Sequence, residues 1–323
     1  VVNHVIACNV SGTGKKAMFY SGGLDSIQTL ISHLDEKPDL ISIWGSDIKY
    51  DNEKGWKLVY SAVEEATQKY DLKDVVIHSN FREFDDEGIL DKEFHAQLKD
   101  GWWHGVKHGI GLLGHVAPYA YLNGLSTMYI ASSNCPADGA VRCASNPKID
   151  NYVRFAKCQV IHDGYEFSRQ DKVHNVVDYC NKNDTRINMH VCWESQKGSN
   201  CCRCEKCSRT IAGLIAELAN PNEYGFLDVN TGDMQSYVLL GGKLNQHLSK
   251  TCWKQIHDRM LQNKKKLKKT SYWRDIKWIV KSDFAHMETL QMPLEYRLKQ
   301  RLYANCIYRF AHEVKVRIKN GKK

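Results

Sequence analysis

The feature that most narrows what this chain can fold into is the stretch Ala17-Met18-Phe19-Tyr20-Ser21-Gly22-Gly23-Leu24-Asp25-Ser26. An apolar strand runs into a glycine-rich turn, and the turn opens a helix that continues Ile27-Gln28-Thr29-Leu30. That arrangement suits an anion. Glycine lets backbone N–H groups converge on one point, and a helix N-terminus adds the positive end of its dipole. Ser21 and Ser26 can donate hydroxyl hydrogen bonds to phosphate oxygens, Gly22 and Gly23 supply the close backbone approach, and Asp25 could hold a magnesium ion. No lysine stands at the Walker position, so this is not the GxxxxGK[ST] loop of kinases and GTPases. Gly12-Thr13-Gly14-Lys15 does not match it either and reads as a turn.

Short β-rich runs at Ala17–Tyr20, Leu40–Trp44, Val75–His78, Thr127–Ala131 and Asn188–Cys192 alternate with helical stretches at Trp56–Lys69, Trp103–Leu122 and Gln170–Cys180. Strands separated by helices predict βαβ units, hence an α/β fold with a parallel sheet covered on both faces. Asn220-Pro221-Asn222 interrupts the pattern after a helix at Arg209–Leu218. A boundary is expected there, between a core at residues 1–219 and an extension at 220–323.

The twelve cysteines are too sparse for a disulfide scaffold in 323 residues, and four of them crowd into Cys201–Cys207. Cys201, Cys204 and Cys207 form a C-x2-C-x2-C run, and Cys192 can supply a fourth thiolate. Two-residue spacings let a tight turn aim successive sulfurs at one centre, as tetrahedral Zn2+ requires. An iron–sulfur cluster or a redox dithiol could use the same residues. Cys202, next to Cys201, must face elsewhere or substitute for it.

Ser-Gly-Gly-x-Asp-Ser at a strand–helix junction resembles the PP-loop of the ATP pyrophosphatases. With Cys192 and the C-x2-C-x2-C run about 165 residues further on, followed by Arg209, the chain is similar to the 7-cyano-7-deazaguanine synthases over roughly residues 15–218. The resemblance implies a Rossmann-like PP-loop sheet that uses ATP and Mg2+, with a structural zinc. It implies adenylation of a carboxylate or carbonyl, releasing pyrophosphate, and then amide or nitrile formation with ammonia or another amine. Lys172 falls where that family places a lysine beside the phosphates, Arg209 follows the knuckle as the family's arginine does, and Ser132-Ser133-Asn134 falls where it lines its cleft. Asp25 and Lys172 are thus the expected catalytic pair, with Ser21, Gly22, Gly23, Ser26 and Arg209 on the nucleotide. A homodimer is implied by the resemblance alone. The substrate side departs: Trp44-Gly45-Ser46 lacks the family's glutamine, and Gly114-His115 stands where the family has an Arg-Asn pair. A different small-molecule acid is therefore expected.

Other residues carry open readings. His104 and His108 share a helical face, as metal ligands or as packing, and His115 falls at a substrate-side position of the resemblance. His162-Asp163 reads as a base pair or an ordinary turn. Cys135 and Cys143 flank a loop over the cleft and offer a candidate thiol.

Residues 241–323 carry a charge balance of +15, whereas residues 1–240 carry −7. Apolar residues recur there at helical spacing among lysines, as in Tyr272, Ile276 and Ile279 and again in Tyr296, Leu302, Ile307 and Phe310. Lysines interleaved with Tyr272, Trp273 and Trp278 could bind nucleic acid through phosphate contacts and stacking, which keeps a tRNA-thiolating PP-loop enzyme as a rival. A solvated helical face docked on the acidic core, or on another acidic partner, accounts for the same charges. A mean hydropathy of −0.50 and the lack of any long apolar run exclude a membrane-spanning helix. The opening VVNHVIACNV has no basic start or clean apolar stretch, and the clustered cysteines point to a metal site in a reducing compartment, so a cytoplasmic setting is expected.

Overall fold

The structure is a computed structural model of the chain that describes residues 12–139, 141–240 and 248–284. Its centre is a six-stranded sheet in the order β3-β2-β1-β4-β6-β5. The strands are β1 (Lys16–Phe19), β2 (Asp39–Trp44), β3 (Asp74–His78), β4 (Thr127–Ala131), β5 (Arg154–Phe155) and β6 (Cys158–Asp163). All neighbours run parallel except β5, a two-residue strand antiparallel to β6 at the edge.

Period-two alternation feeds two cores. Met18, Tyr20, Leu40 and Tyr129 face one cluster, which they share with α1 (Leu24–Ser32) and α2 (Glu53–Tyr70). Ala17, Ile41, Met128 and Ile130 face the other. Past α3 (Glu87–Leu98), the helix α4 (Ile110–Asn123) covers that second face with Leu113, Val116 and Ala120. The chain then makes the single turn α5 (Pro147–Asp150) and, after β6, returns to the first face as α6 (Arg169–Lys182) and α7 (Glu205–Ala216). The strand order thus reverses between β1 and β4, which leaves a crevice at their C-terminal ends.

Two expectations need correction. Asn188–Cys192 is not a strand, although Met189, Val191 and Cys192 are buried. Its amides are used elsewhere: Met189 N donates to Tyr224 O, His190 N to Gly22 O, and Val191 and Cys192 to the Asn200 side chain. The stretch Trp103–Leu122 is not one helix. A π turn at Trp103–Lys107 ends at His108, Gly109 takes φ +85°, and α4 begins afresh.

The extension from residue 220, as far as it is described, packs on α6 and α7. Its helices are α8 (Thr231–Leu240), α9 (Lys254–Gln262), the turn α10 (Lys264–Leu267) and α11 (Trp273–Lys281). Met234, Val238, Trp253, Ile256, Met260, Leu267, Ile276 and Ile279 are buried in the same cluster as Leu24 and Leu214. Lys264, Lys265, Lys266, Lys268 and Lys269 stay exposed around the buried Leu267. Trp278 is buried against Trp253 and Phe284, so it is a core residue and offers no face for stacking a base. The periodic residues Tyr296, Leu302, Ile307 and Phe310 lie outside the described residues. Among the described residues, no helix is long and apolar enough to cross a membrane.

Candidate functional site: an anion cradle beside a four-cysteine knuckle

The turn after β1 is held open by its own side chains. The Ser26 hydroxyl donates to Gly23 O at 2.9 Å and accepts from Ser21 N at 3.3 Å, and Gly23 N donates to Ser21 Oγ at 3.3 Å. Gly22 sits at φ +68°, in the left-handed region that favours glycine. Gly23 occupies the N-cap of α1, where no side chain accepts from the first amides of the helix. Those amides are therefore left facing outward with the positive end of the helix, as an anion site needs.

Asp25 opens the first turn of α1 and meets two cations from α6. Lys172 Nζ lies 3.2 Å from Asp25 Oδ1, and Arg169 Nη1 lies 3.3 Å from Oδ2. Lys172 is 2 % exposed and also donates to Ser132 O at the end of β4. Burial pushes the Asp25 carboxyl up, but Lys172, Arg169 and Lys206 together outweigh it and hold the group far below the usual carboxylate range. Asp25 is thus a fixed anion.

The turn, Asp25 and Arg169 border a cavity of about 310 Å3 at the C-terminal strand ends. Ser21, Gly23, Asp25 and Ser26 form one side, Arg169, Lys206 and His190 add nitrogen donors, and Ile41, Ile43, Trp56 and Val59 give an apolar wall. Burial pushes the Lys206 ammonium and the His190 imidazole down in pKa, and His190 Nε2 is buried with no partner. Ser133 lines the cavity as its position at the end of β4 suggested, and Ser46 lines it too.

Not every expected residue reaches it. Lys172 lies behind Asp25, outside the cavity wall. Arg209 is turned away as well: its Nη1 is 3.6 Å from Glu205 Oε2 and donates to Cys252 Sγ. The cavity cations are Arg169 and Lys206, which motif reasoning passed over although each lies within three residues of a named one. His115 is bound to Ser79 Oγ at 2.9 Å and to Gly111 O at 2.6 Å, away from the cavity lining. His162 and Asp163 do not act as a pair, because neighbours in a strand point to opposite faces. His162 binds Asp150 at 2.8 Å in a buried pocket, whereas Asp163 binds Thr29 at 2.7 Å and His33 at 3.0 Å.

Next to the cradle, Cys192, Cys201, Cys204 and Cys207 bring their sulfurs within 4.8 Å of one another. Cys192 Sγ and Cys204 Sγ are 4.0 Å apart, and Cys201 Sγ and Cys207 Sγ 3.9 Å. A tetrahedral zinc with Zn–S near 2.3 Å needs sulfurs about 3.8 Å apart, so the four thiols fit a metal such as zinc. Cys204 N donates to Cys201 Sγ and Cys207 N to Cys204 Sγ, the amide–sulfur bonds that stabilise thiolates. Hydrogen bonds from Cys204 and Cys207 hold the Cys192 thiol far down in pKa, while the bond to Cys192 pushes both partners up. Asn200 fastens the knuckle by accepting from Val191 and Cys192 and donating to Met189 O and Gly225 O. Cys202, at φ +55°, faces elsewhere and donates to Asn200 O. Cys204 also caps α7 and accepts from Cys207 N. The knuckle therefore fixes the helix start that carries Lys206 into the cavity.

No protein-family model matches the chain, and no curated protein does.

Proposed function

We propose that the chain is an adenylating enzyme with a Rossmann-like PP-loop domain. It binds Mg-ATP in the cradle, transfers AMP to the carboxylate or carbonyl oxygen of a small-molecule acid, and passes the activated acyl group to ammonia or another amine. One observation carries this reading. The Ser21–Ser26 turn, the fixed Asp25 anion and the cations Arg169 and Lys206 all border one cavity, at the point where the strand order reverses.

The chemistry asks little of the protein beyond position and charge. The substrate oxygen attacks the α-phosphorus, and pyrophosphate departs with the electron pair of the cleaved P–O bond. The open amides of α1 with Ser21 and Ser26 hold the departing phosphates, and Arg169 and Lys206 balance their growing charge. Asp25, kept ionised by Lys172, is available to a magnesium ion that arrives with the nucleotide. Lys172 is in this scheme a positioning residue, acting through Asp25. The apolar wall of Ile41, Ile43 and Trp56 excludes water that would otherwise hydrolyse the adenylate. A zinc held by Cys192, Cys201, Cys204 and Cys207 would be structural, because four thiolates leave no open coordination position.

The test is to incubate purified protein with Mg-ATP and a cell extract divided into small-molecule and RNA fractions. Stimulation of AMP release by the small-molecule fraction is the expected result. Stimulation by the RNA fraction alone would replace this reading with a tRNA-modifying one.

A further inference from the structure

The cavity has two unlike halves. Ser21, Asp25, Ser26, Arg169 and Lys206 belong to the turn after β1 and to α1, α6 and α7, and they supply the donors and the charge of the cradle. Trp103, His108 and Leu112 come from the π turn and α4 on the second face of the sheet, and they line the same cavity with Ile130 and Ser133. A reaction that ends in a C–N bond needs a proton acceptor as well as an anion cradle, because the attacking nitrogen sheds a proton. Asp25 is committed to Lys172 and Arg169, and Asp47 is exposed to bulk water. His190 stands against the phosphate turn, where its N donates to Gly22 O at 2.7 Å. His108 is the base left on the half that carries no cation.

The His108 ring is held by one nitrogen. Nδ1 lies 3.3 Å from Cys143 Sγ, and Cys143 is buried outside the cavity lining. Nε2 has no partner among the described residues, so it is the nitrogen left to the cavity. Trp103 and His104 flank the ring, with centroids at 5.5 Å and 6.2 Å. The loop carrying Cys143 is clamped in place: Ala144 N donates to His104 O at 2.9 Å, and Asn146 Nδ2 donates to Cys143 O at 2.7 Å. Gly109 packs so tightly beneath it that a Cβ there would come within 2.9 Å of Ala144 O and Ser145 Cα. Burial pushes the Cys143 thiol up, but the neighbouring imidazoles outweigh it and bring it down to about 6. A sulfur in the thiolate form accepts from Nδ1–H, which leaves the lone pair on Nε2. Among the described residues, only the knuckle brings metal-ligating atoms close enough together for an ion, so no metal competes for that lone pair.

We propose that His108 Nε2 is the general base of the amine-transfer half of the reaction, with Cys143 as the positioning residue that fixes its tautomer. This rests on the adenylation reading above. The lone pair of the ammonia or amine nitrogen attacks the acyl carbon of the adenylate, and a C–N bond forms. The C–O bond to the α-phosphate breaks, and AMP leaves with its electron pair. The proton shed by the nitrogen moves to Nε2 and from there to water, so the imidazole returns neutral. Cys143 forms no bond to the substrate.

Two measurements test this. Long-range 1H–15N spectra of the native protein labelled at histidine show which ring nitrogen carries the proton, with His108→Gln assigning the resonance. His108 is expected in the Nδ1–H form at about pH 8, and Cys143→Ala should move it toward the Nε2–H form. An Nε2–H imidazole in the wild type, or no change on Cys143→Ala, would overturn the positioning. Wild-type and variant proteins are then given Mg-ATP, the small-molecule fraction and ammonium chloride. His108→Gln should slow AMP release about a hundredfold more than it slows exchange of labelled pyrophosphate into ATP, the low end of what a general base contributes. Hydroxylamine, which is neutral near pH 7 and attacks without help from a base, should restore AMP release in that variant. Equal loss of the two rates, or no rescue by hydroxylamine, would overturn the base. If wild-type protein neither exchanges pyrophosphate nor releases AMP, the adenylation reading fails and the role of His108 falls with it, while the spectra still decide the tautomer.

Discussion

Lys172 Nζ lies 3.2 Å from Asp25 Oδ1, a contact that ties the turn after β1 to the start of α6 across 147 positions of sequence. It fixes an ionised carboxylate at the mouth of α1, at the edge of the cavity. Asp25→Asn removes that anion and leaves Lys172 and Arg169 facing each other. Since breaking a buried ion pair costs about 3–5 kcal/mol and Asp25 keeps some solvent, a loss of about 2 kcal/mol is expected from urea unfolding. The sign with pH follows from the depressed folded pKa. The contribution of Asp25 is complete above its ordinary value near 3.8 and is lost as pH falls below it. Wild type should therefore lose stability more steeply than Asp25→Asn below about pH 4.

Lys206 borders the cavity while Arg209 points to Glu205 and Cys252. Lys206→Met should weaken ATP binding by about ten- to a hundredfold, the worth of one charge-assisted hydrogen bond. Arg209→Met should weaken it less than threefold. Isothermal titration of both variants with Mg-ATP checks the order, and the reverse order would restore Arg209 to the nucleotide.

The knuckle predicts unequal cysteines. Purified protein should hold about one zinc per chain, which Cys192→Ser or Cys207→Ser removes and Cys202→Ser leaves in place. Chelation should also weaken nucleotide binding, because Lys206 stands between Cys204 and Cys207 of the knuckle. Metal analysis by mass spectrometry on the three variants provides the test.

Trp253 is fully buried between Trp278 and Phe284, and its Nε1 donates to Glu205 at 3.0 Å. Trp253→Ala should cost about 3–5 kcal/mol. Because its core is shared with Leu24 and Leu214, the loss should appear in one unfolding transition for the described fold. A separate early transition, with the sheet unaffected, would contradict that shared core.

Much of this was legible in the sequence where one local signal dominates. β1 to β4 are apolar runs bounded by turns, and the cysteine spacing announces the knuckle before any fold is known. Long-range competition defeated the rest. Met189 and Val191 alternate like a strand, yet their amides are taken by Tyr224 and Asn200, partners that no local pattern reveals. Gly109 splits an apparently continuous helix because the Cys143 loop needs the space above it. Lys206 carries no motif signal of its own, because it sits between two cysteines of the knuckle. Trp278, spaced among lysines, looks exposed until Trp253 and Phe284 are seen to enclose it.

The most direct test of the central claim is which bond of ATP is broken. Phosphorus NMR of Mg-ATP incubated with the protein and the small-molecule fraction should show AMP and pyrophosphate growing together, and neither with Asp25→Ala. ADP and inorganic phosphate in their place would contradict the adenylating cradle.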